Sequence, residues 1–185
     1  PPPPPSPPRP RAGRPPPPPA AASLPPHPPG APPTACGTGA LGDTVGTVNS
    51  ALGFGAMLNN AGGSFNTAGG SNALEANTTG DFNVATGAYA LYANNAGTNN
   101  TAVGYNAMGA NLGDFNTGLG SEAMLKNTTG MVNTAVGAHA LYTDTTGTFK
   151  IALGAGAGPD HWTGDTNIYV GHVGLEAQSG TVRAR

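Results

Sequence analysis

Few side chains in this 185-residue chain could carry out metal, acid–base or nucleophilic chemistry. His139, His161 and His172 are the main candidates, and Asp160 beside His161 could add a carboxylate ligand. Helical zinc motifs need HxxxH or HExxH spacing, and neither occurs here. Cys36 is the only cysteine, so it cannot form a disulfide within the chain or a CxxC metal site, and we expect a small buried residue. The sequence therefore predicts no metal site and no cofactor.

Catalytic motifs are also missing. The chain has no GxSxG nucleophile elbow, no GxxxxGK[ST] phosphate loop and no calcium-binding nonapeptide repeat. The glycine-rich stretch GAGAG at 154–158 lies in the register of a longer repeat, which argues against a phosphate site. Carboxylates are too sparse to suggest a paired acid and base. We therefore expect that the chain is not an enzyme.

Composition divides the chain into two regions. Residues 1–33 hold 19 of the 20 prolines, and proline neither donates a backbone hydrogen bond nor continues a helix. We predict a disordered, extended polyproline tail there, and its PxxP spacing is compatible with a spacer or with a ligand for an aromatic groove. Residues 34–183 form the second region, a predicted repeat domain.

Charge and hydropathy exclude some partners. From Thr34 onward, four basic residues face nine acidic ones, which gives a net charge of −5. A nucleic-acid surface needs a basic stripe, so we expect no nucleic-acid partner. No apolar run approaches the ~18 residues of a membrane-spanning helix, and we expect no membrane contact by this stretch. The chain starts with Pro1 and stops within a pattern, which suggests a fragment.

Glycines set a repeat of 16 or 17 residues. The first in each unit, which we call the anchor glycine, is predicted to form a turn; these are Gly37, Gly53, Gly70, Gly87, Gly104, Gly120, Gly137, Gly154 and Gly171. A second glycine, the loop glycine, stands nine or ten residues after its anchor and always seven before the next one. The length change is therefore confined to one loop, where it leaves the strand register intact.

The repeat indicates strands. Segments such as NTAVG and AHALY are of strand length, four to five residues, and their side chains alternate; NTTG and DTTG supply turn residues. We predict two strands and two turns per unit, stacked into an all-β parallel β-roll or β-solenoid of about nine coils, left-handed in winding. Coils ~4.8 Å apart would give a rod of roughly 40 Å.

Alternation also predicts an apolar ladder on one face of the coils. Small residues, mostly alanine, face one way, and larger apolar residues face the other. The predicted ladder consists of Val103, Leu119, Val136, Leu153, Leu74, Leu91, Met108, Met124 and Leu141. Such a ladder would exceed the few hundred Å² that monomers usually expose, so we expect a homo-oligomer, a trimer, that buries it. The alternative places Val and Leu inside a wider coil and alanine near the surface.

Three stretches carry a resemblance to known repeats: NTAVGYNAM at 100–108, LKNTTG at 125–130 and NTAVGAHALYTDTTG at 133–147. They resemble the YadA-like head repeats of trimeric autotransporter adhesins, and the NTAVGYxALYxNTTG repeats of bacterial surface and tail-fibre-like proteins. The closing GDTNIYVGHVGLEAQSGTVRAR at 164–185 is similar to the segment that often ends such arrays. The resemblance implies a trimeric, left-handed β-roll on the cell surface or in an extracellular fibre.

The function predicted from the repeat and the resemblance is a structural or adhesive module that binds an unknown host, matrix or glycan receptor through many weak contacts. The alternatives are a phage-type tail-fibre segment that needs a downstream chaperone domain, and an ice- or crystal-binding face. For the latter, Thr67, Thr101, Thr117 and Thr134 align, but Val84, Ile151 and Ile168 interrupt the row.

Two further residue sets have alternative interpretations. Phe65, Phe82, Phe115 and Phe149 occur at matching points of the repeat; they could stack on sugars, but we favour burial at a turn corner. Asn77, Asn99 and Asn127 begin N-x-[ST] sequons, which we interpret as turn residues.

Overall fold

The structure is a computed structural model, and it describes residue 1, residues 34–42, 46–158 and 164–171, and the backbone of residues 182–184. The predicted polyproline tail lies outside the described residues, apart from Pro1. The candidate ligands Asp160, His161 and His172 lie outside them too.

Ten three-residue strands form one sheet. They are β1 (Thr34–Cys36), β2 (Ser50–Leu52), β3 (Thr67–Gly69), β4 (Val84–Thr86), β5 (Thr101–Val103), β6 (Thr117–Leu119), β7 (Thr134–Val136), β8 (Ile151–Leu153), β9 (Ile168–Val170) and β10 (Val182–Ala184). Each strand pairs in parallel with the next one along the chain. Among the described residues there is no helix, so the predicted all-β parallel solenoid is confirmed.

Each coil has one strand, so the prediction of two strands per coil is wrong. The segment AHALY, predicted as a second strand, is a succession of turns. His139 and Leu141 have φ values of 57° and 49°, and Ala140 N–H donates to the carbonyl of Gly137 over 3.2 Å. The same two left-handed positions recur in every fully described coil, occupied for example by Tyr89 and Leu91. Left-handed residues break the strict alternation of an extended strand.

Coils are nevertheless hydrogen-bonded to one another around their perimeter. Leu74 N–H donates to the carbonyl of Ala90 in the turn segment, and Phe82 N–H donates to the carbonyl of Ser64 before the strand. These bonds hold bulky residues at positive φ, a conformation that otherwise costs about 1–3 kcal/mol per residue.

The apolar part of the interior is narrow and built from three columns. The middle residue of each strand points inward and is alanine in most coils. A second alanine column follows, with Ala90, Ala107 and Ala140 all fully buried. The third column is Leu or Met at the left-handed position four residues after the anchor glycine. Small residues in two columns let the coil close tightly around the third.

Candidate functional site

The outward face of the sheet is a regular surface that runs along the described coils. The first and third residues of every described strand from β1 to β9 point away from the core, and neither column contains a charged residue. The first column reads Thr34, Ser50, Thr67, Val84, Thr101, Thr117, Thr134, Ile151 and Ile168. The third column reads Cys36, Leu52, Gly69, Thr86, Val103, Leu119, Val136, Leu153 and Val170. We call these two columns together the sheet face.

Apolar side chains on the sheet face remain substantially exposed in the single chain. Val103, Val136 and Leu153 are 40%, 37% and 40% exposed, and Leu52 is 62% exposed. Register is unbroken from strand to strand, so each column is continuous along the sheet. Cys36 lies on this face with an exposed side chain, which corrects the prediction that it is buried.

The predicted apolar ladder is divided by the structure. Val103, Leu119, Val136 and Leu153 lie on the sheet face. The other five members do not, because they are at most 1% exposed and form the inner column of the core: Leu74, Leu91, Met108, Met124 and Leu141. The error came from extending strand alternation into the turn segment. With Leu141 in a left-handed conformation, both Ala140 and Leu141 are buried.

The anchor glycines follow the strands at positive φ. The values lie between 124° and 142° for Gly53, Gly70, Gly87, Gly104, Gly120, Gly137 and Gly154, and the φ of Gly171 is 83°. At Gly104, an added Cβ would lie 2.5 Å from the carbonyl oxygen of Gly120 in the next coil. Glycine is therefore required both by the backbone conformation and by the spacing between coils.

Phenylalanines form a second exposed column, immediately before the buried residue that precedes each strand. Phe65, Phe82, Phe115 and Phe149 are 50% to 60% exposed and have positive φ, so the predicted burial at a turn corner is wrong. The rings of Phe65 and Phe82 stack in parallel, with centroids 5.0 Å apart. Val48, Asn99, Val132 and Thr166 occupy the same column in other coils.

A mixed polar and aromatic group covers part of the turn segment. His139 Nε2 lies 3.0 Å from Glu122 Oε2, and the His139 ring meets the Tyr142 ring edge to face at 5.3 Å. Lys126 Nζ lies 5.2 Å from the centre of the Tyr142 ring. His139 shares its column with Tyr89 and with Glu122, and its side chain is 58% exposed. Among the described residues, no group of three or more His, Cys, Asp or Glu side chains is arranged to hold a metal ion.

Two columns of buried asparagines line the loop side of the coil, and they were not predicted from the sequence. The first column stands four residues before each anchor glycine: Asn49, Asn66, Asn83, Asn100, Asn116, Asn133 and Asn167. Its Oδ1 atoms accept the backbone N–H of the same position in the next coil, as Asn83 Oδ1 does from Asn100 over 3.0 Å. Its Nδ2 atoms donate to loop-glycine carbonyls, as Asn83 does to Gly97 over 2.8 Å.

The second column stands seven residues after each anchor: Asn60, Asn77, Asn94, Asn111 and Asn127. Asn77 Nδ2 donates to Asn60 Oδ1 of the preceding coil over 2.7 Å and to its own loop-glycine carbonyl, Gly80, over 3.0 Å. Asn77 and Asn127 are fully buried, whereas Asn99 of the third sequon is exposed. The sequence signal was present in the fixed offset from the glycines, but asparagine between glycines was interpreted only as a turn residue.

One coil replaces both columns with charged residues. Asp144 occupies the second column and Lys150 the first, and Lys150 Nζ lies 2.7 Å from Asp144 Oδ1. Their side chains are 2% and 0% exposed. Burial raises the pKa of the Asp144 carboxyl, and the hydrogen bond from Lys150 only partly offsets this effect.

Comparison with known proteins adds no family. No protein-family model, no curated protein and no solved structure matches the chain. Within the part of the chain that the structure describes, no helix is long and apolar enough to cross a membrane.

Proposed function

We propose that this chain is a non-enzymatic structural module of a fibre on the cell surface or outside the cell. Copies of the chain associate through the sheet face into a homo-oligomer, a trimer. The assembled fibre presents its repeated outer surface for attachment to a host, matrix or glycan receptor. The trimer and the location come from the resemblance to YadA-like repeats, and the self-association comes from the surface itself.

The sheet face is the observation that carries the proposal. Val103, Val136 and Leu153 each leave more than a third of their surface exposed, and no charged side chain interrupts the columns. Contiguous apolar patches of this kind on soluble proteins mark interaction sites. The columns of this face repeat at the spacing of the coils, so the same face of another copy matches that spacing best.

The phenylalanine column supplies a surface for attachment. Its rings remain half exposed on the loop side of the strands, where Phe65 and Phe82 lie parallel. Aromatic faces bind flat apolar surfaces such as those of sugar rings through stacking. Several weak contacts on one rigid assembly add through effective concentration, so that a repeated surface needs no single strong site.

The test replaces two sheet-face valines with lysine, in a Val103→Lys/Val136→Lys double variant. Because both side chains are partly exposed, we expect the fold to persist while the buried charges prevent association. Sedimentation equilibrium should give an oligomer for the parent chain and a monomer for the variant.

The matched control adds the same charge elsewhere, as Thr79→Lys/Thr129→Lys on exposed loop positions. This control should keep the parent's mass. The proposal fails if the sheet-face variant and the loop variant sediment alike.

A further inference from the structure

One coil departs from the asparagine columns in two positions at once. Every other fully described coil has asparagine in both columns, whereas this one has Asp144 and Lys150. The two residues lie at the two ends of one loop. In two other coils the corresponding asparagines are hydrogen-bonded across the loop: Asn116 Nδ2 to Asn111 Oδ1 at 3.1 Å and Asn100 Nδ2 to Asn94 Oδ1 at 3.5 Å. The paired replacement therefore puts an amine and a carboxyl at positions that two amides occupy in the other coils.

The amine and the carboxyl are in contact away from solvent. Lys150 Nζ is 2.7 Å from Asp144 Oδ1, and the two side chains are 0% and 2% exposed. Gly147 lies over the lysine, and a Cβ at that position would collide with Lys150 Cε and Nζ. The loop glycine thus makes room for the lysine side chain inside the coil.

Hydrogen bonding around this carboxyl is incomplete. Elsewhere in the second column, Oδ1 of one coil accepts from Nδ2 of the next, as Asn60 accepts from Asn77 over 2.7 Å. Asn127 Oδ1 has no such donor, because the next residue in the column is Asp144. Asp144 Oδ2 also has no hydrogen-bond partner. A side-chain amide at position 144 would have the N–H group that residues of this column donate to the preceding coil.

Burial favours the neutral form of the Asp144 carboxyl. A carboxylate and an ammonium that leave water lose their hydration, which their mutual attraction repays only where all their hydrogen bonds are satisfied. The pKa of Asp144 is raised by its burial. Among the described residues, Asp165 is a further charged group that acts on the pair, and the hydrogen bond from the backbone N–H of Thr148 lowers the pKa of its exposed carboxyl, so Asp165 remains an anion.

We propose that Lys150 and Asp144 condense into an isopeptide bond inside the coil. The ammonium proton of Lys150 passes to the Asp144 carboxylate, which gives a neutral amine and a carboxylic acid in contact. The amine lone pair then forms the Nζ–Cγ bond, the Cγ–OH bond breaks, and the hydroxyl leaves with one amine proton as water. No oxidant, reductant or further reactant is needed.

The product restores an amide to a column of amides. Its remaining N–H takes the place of an asparagine Nδ2 hydrogen, and the two buried charges disappear. The bond also closes the loop from Asp144 to Lys150 covalently, near the C-terminal end of the described coils. This inference concerns the chain alone and does not rest on the proposed function.

Intact mass spectrometry of the folded full chain tests the proposal. We expect a mass lower than that of the sequence by one water. After denaturation, trypsin should fail to cut after Lys150 while still cutting after Lys126, because acylated lysine is not a trypsin site. A full mass with cleavage after Lys150 would overturn the proposal. So would loss of water with normal cleavage, since an aspartyl succinimide gives that pattern.

An Asp144→Asn/Lys150→Asn variant is the matched control, because it restores the two asparagines found in neighbouring coils. It should fold and show the full mass of its sequence. If this variant also loses water, the loss arises elsewhere in the chain and the proposal fails.

Discussion

Side-chain amides inside the coil connect each coil with the next. Asn83 is fully buried, and its side chain makes two hydrogen bonds: Nδ2 donates to the Gly97 carbonyl, and Oδ1 accepts from Asn100 N–H. We expect Asn83→Ala to lower the free energy of unfolding by about 2–3 kcal/mol, since the Asn100 N–H loses its acceptor. Urea unfolding followed by circular dichroism measures the change.

Asn59 provides the control for that substitution, because it is exposed and its side chain makes no hydrogen bond described in the structure. Asn59→Ala should change stability by less than about 0.5 kcal/mol. Equal effects at the two sites would show that the buried asparagines do not hold the coils together.

Two neighbouring glycines, Gly69 and Gly70, allow a second test at the residue scale. Gly70 has a φ of 142°, and a Cβ there would lie 2.5 Å from the Gly87 carbonyl carbon and oxygen, whereas a Cβ at Gly69 would meet nothing within 4 Å. We expect Gly70→Ala to cost at least about 3 kcal/mol from strain and overlap, and Gly69→Ala to stabilise by about 0.4–1 kcal/mol. Thermal unfolding of both variants measures the contrast. A tolerated alanine at position 70 would contradict the tight packing of coils at the anchor glycines.

Within the core, a large side chain in one column compensates for a small one in the neighbouring column. In β9 the inward strand residue is Tyr169 rather than alanine, and the inner-column residue of the coil before it is Gly158 rather than Leu or Met. A Cβ at Gly158 would lie 2.8 Å from Tyr169 Cδ2. The tyrosine ring therefore fills the space left by the missing leucine.

A double-mutant cycle tests this compensation. Tyr169→Ala should cost about 3–5 kcal/mol by opening a cavity, and Gly158→Leu alone should destabilise by overpacking. Together they restore the usual pair, and leucine is accepted at a similar φ at position 141, so we expect a favourable coupling of about 2 kcal/mol. Urea denaturation of the four proteins measures the coupling. Strictly additive effects would mean that the two residues do not share one space.

At the scale of the strand and turn segments, part of the fold could be predicted from the sequence. The glycine period predicted the solenoid and its register, because a turn glycine must recur wherever the coil closes. The second strand could not be distinguished from a turn segment, since left-handed Leu141 and His139 are set by bonds to neighbouring coils and not by their own propensities. The exposed phenylalanines were missed for a similar reason: positive φ at Phe65 and Phe82 directs the rings outward.

For the whole molecule, the outward position of the sheet face was predicted from the sequence in part. Val103 and Val136 were predicted to line an outer ladder because they alternate with alanine in a true strand, and they do lie outside. The asparagine columns show the opposite case. Their offsets from the glycines were visible, but only a stacked structure shows that an amide at a fixed offset becomes a buried hydrogen-bonded column.

The central claim is that this face is covered by other copies of the chain. Light scattering on the purified chain, coupled to size exclusion and repeated over a dilution series, tests it most directly. We predict a mass that is a whole multiple of the 18.1 kDa chain, three times that value for the trimer, with secondary structure retained. A folded chain that keeps the mass of a single copy at every concentration would contradict the account.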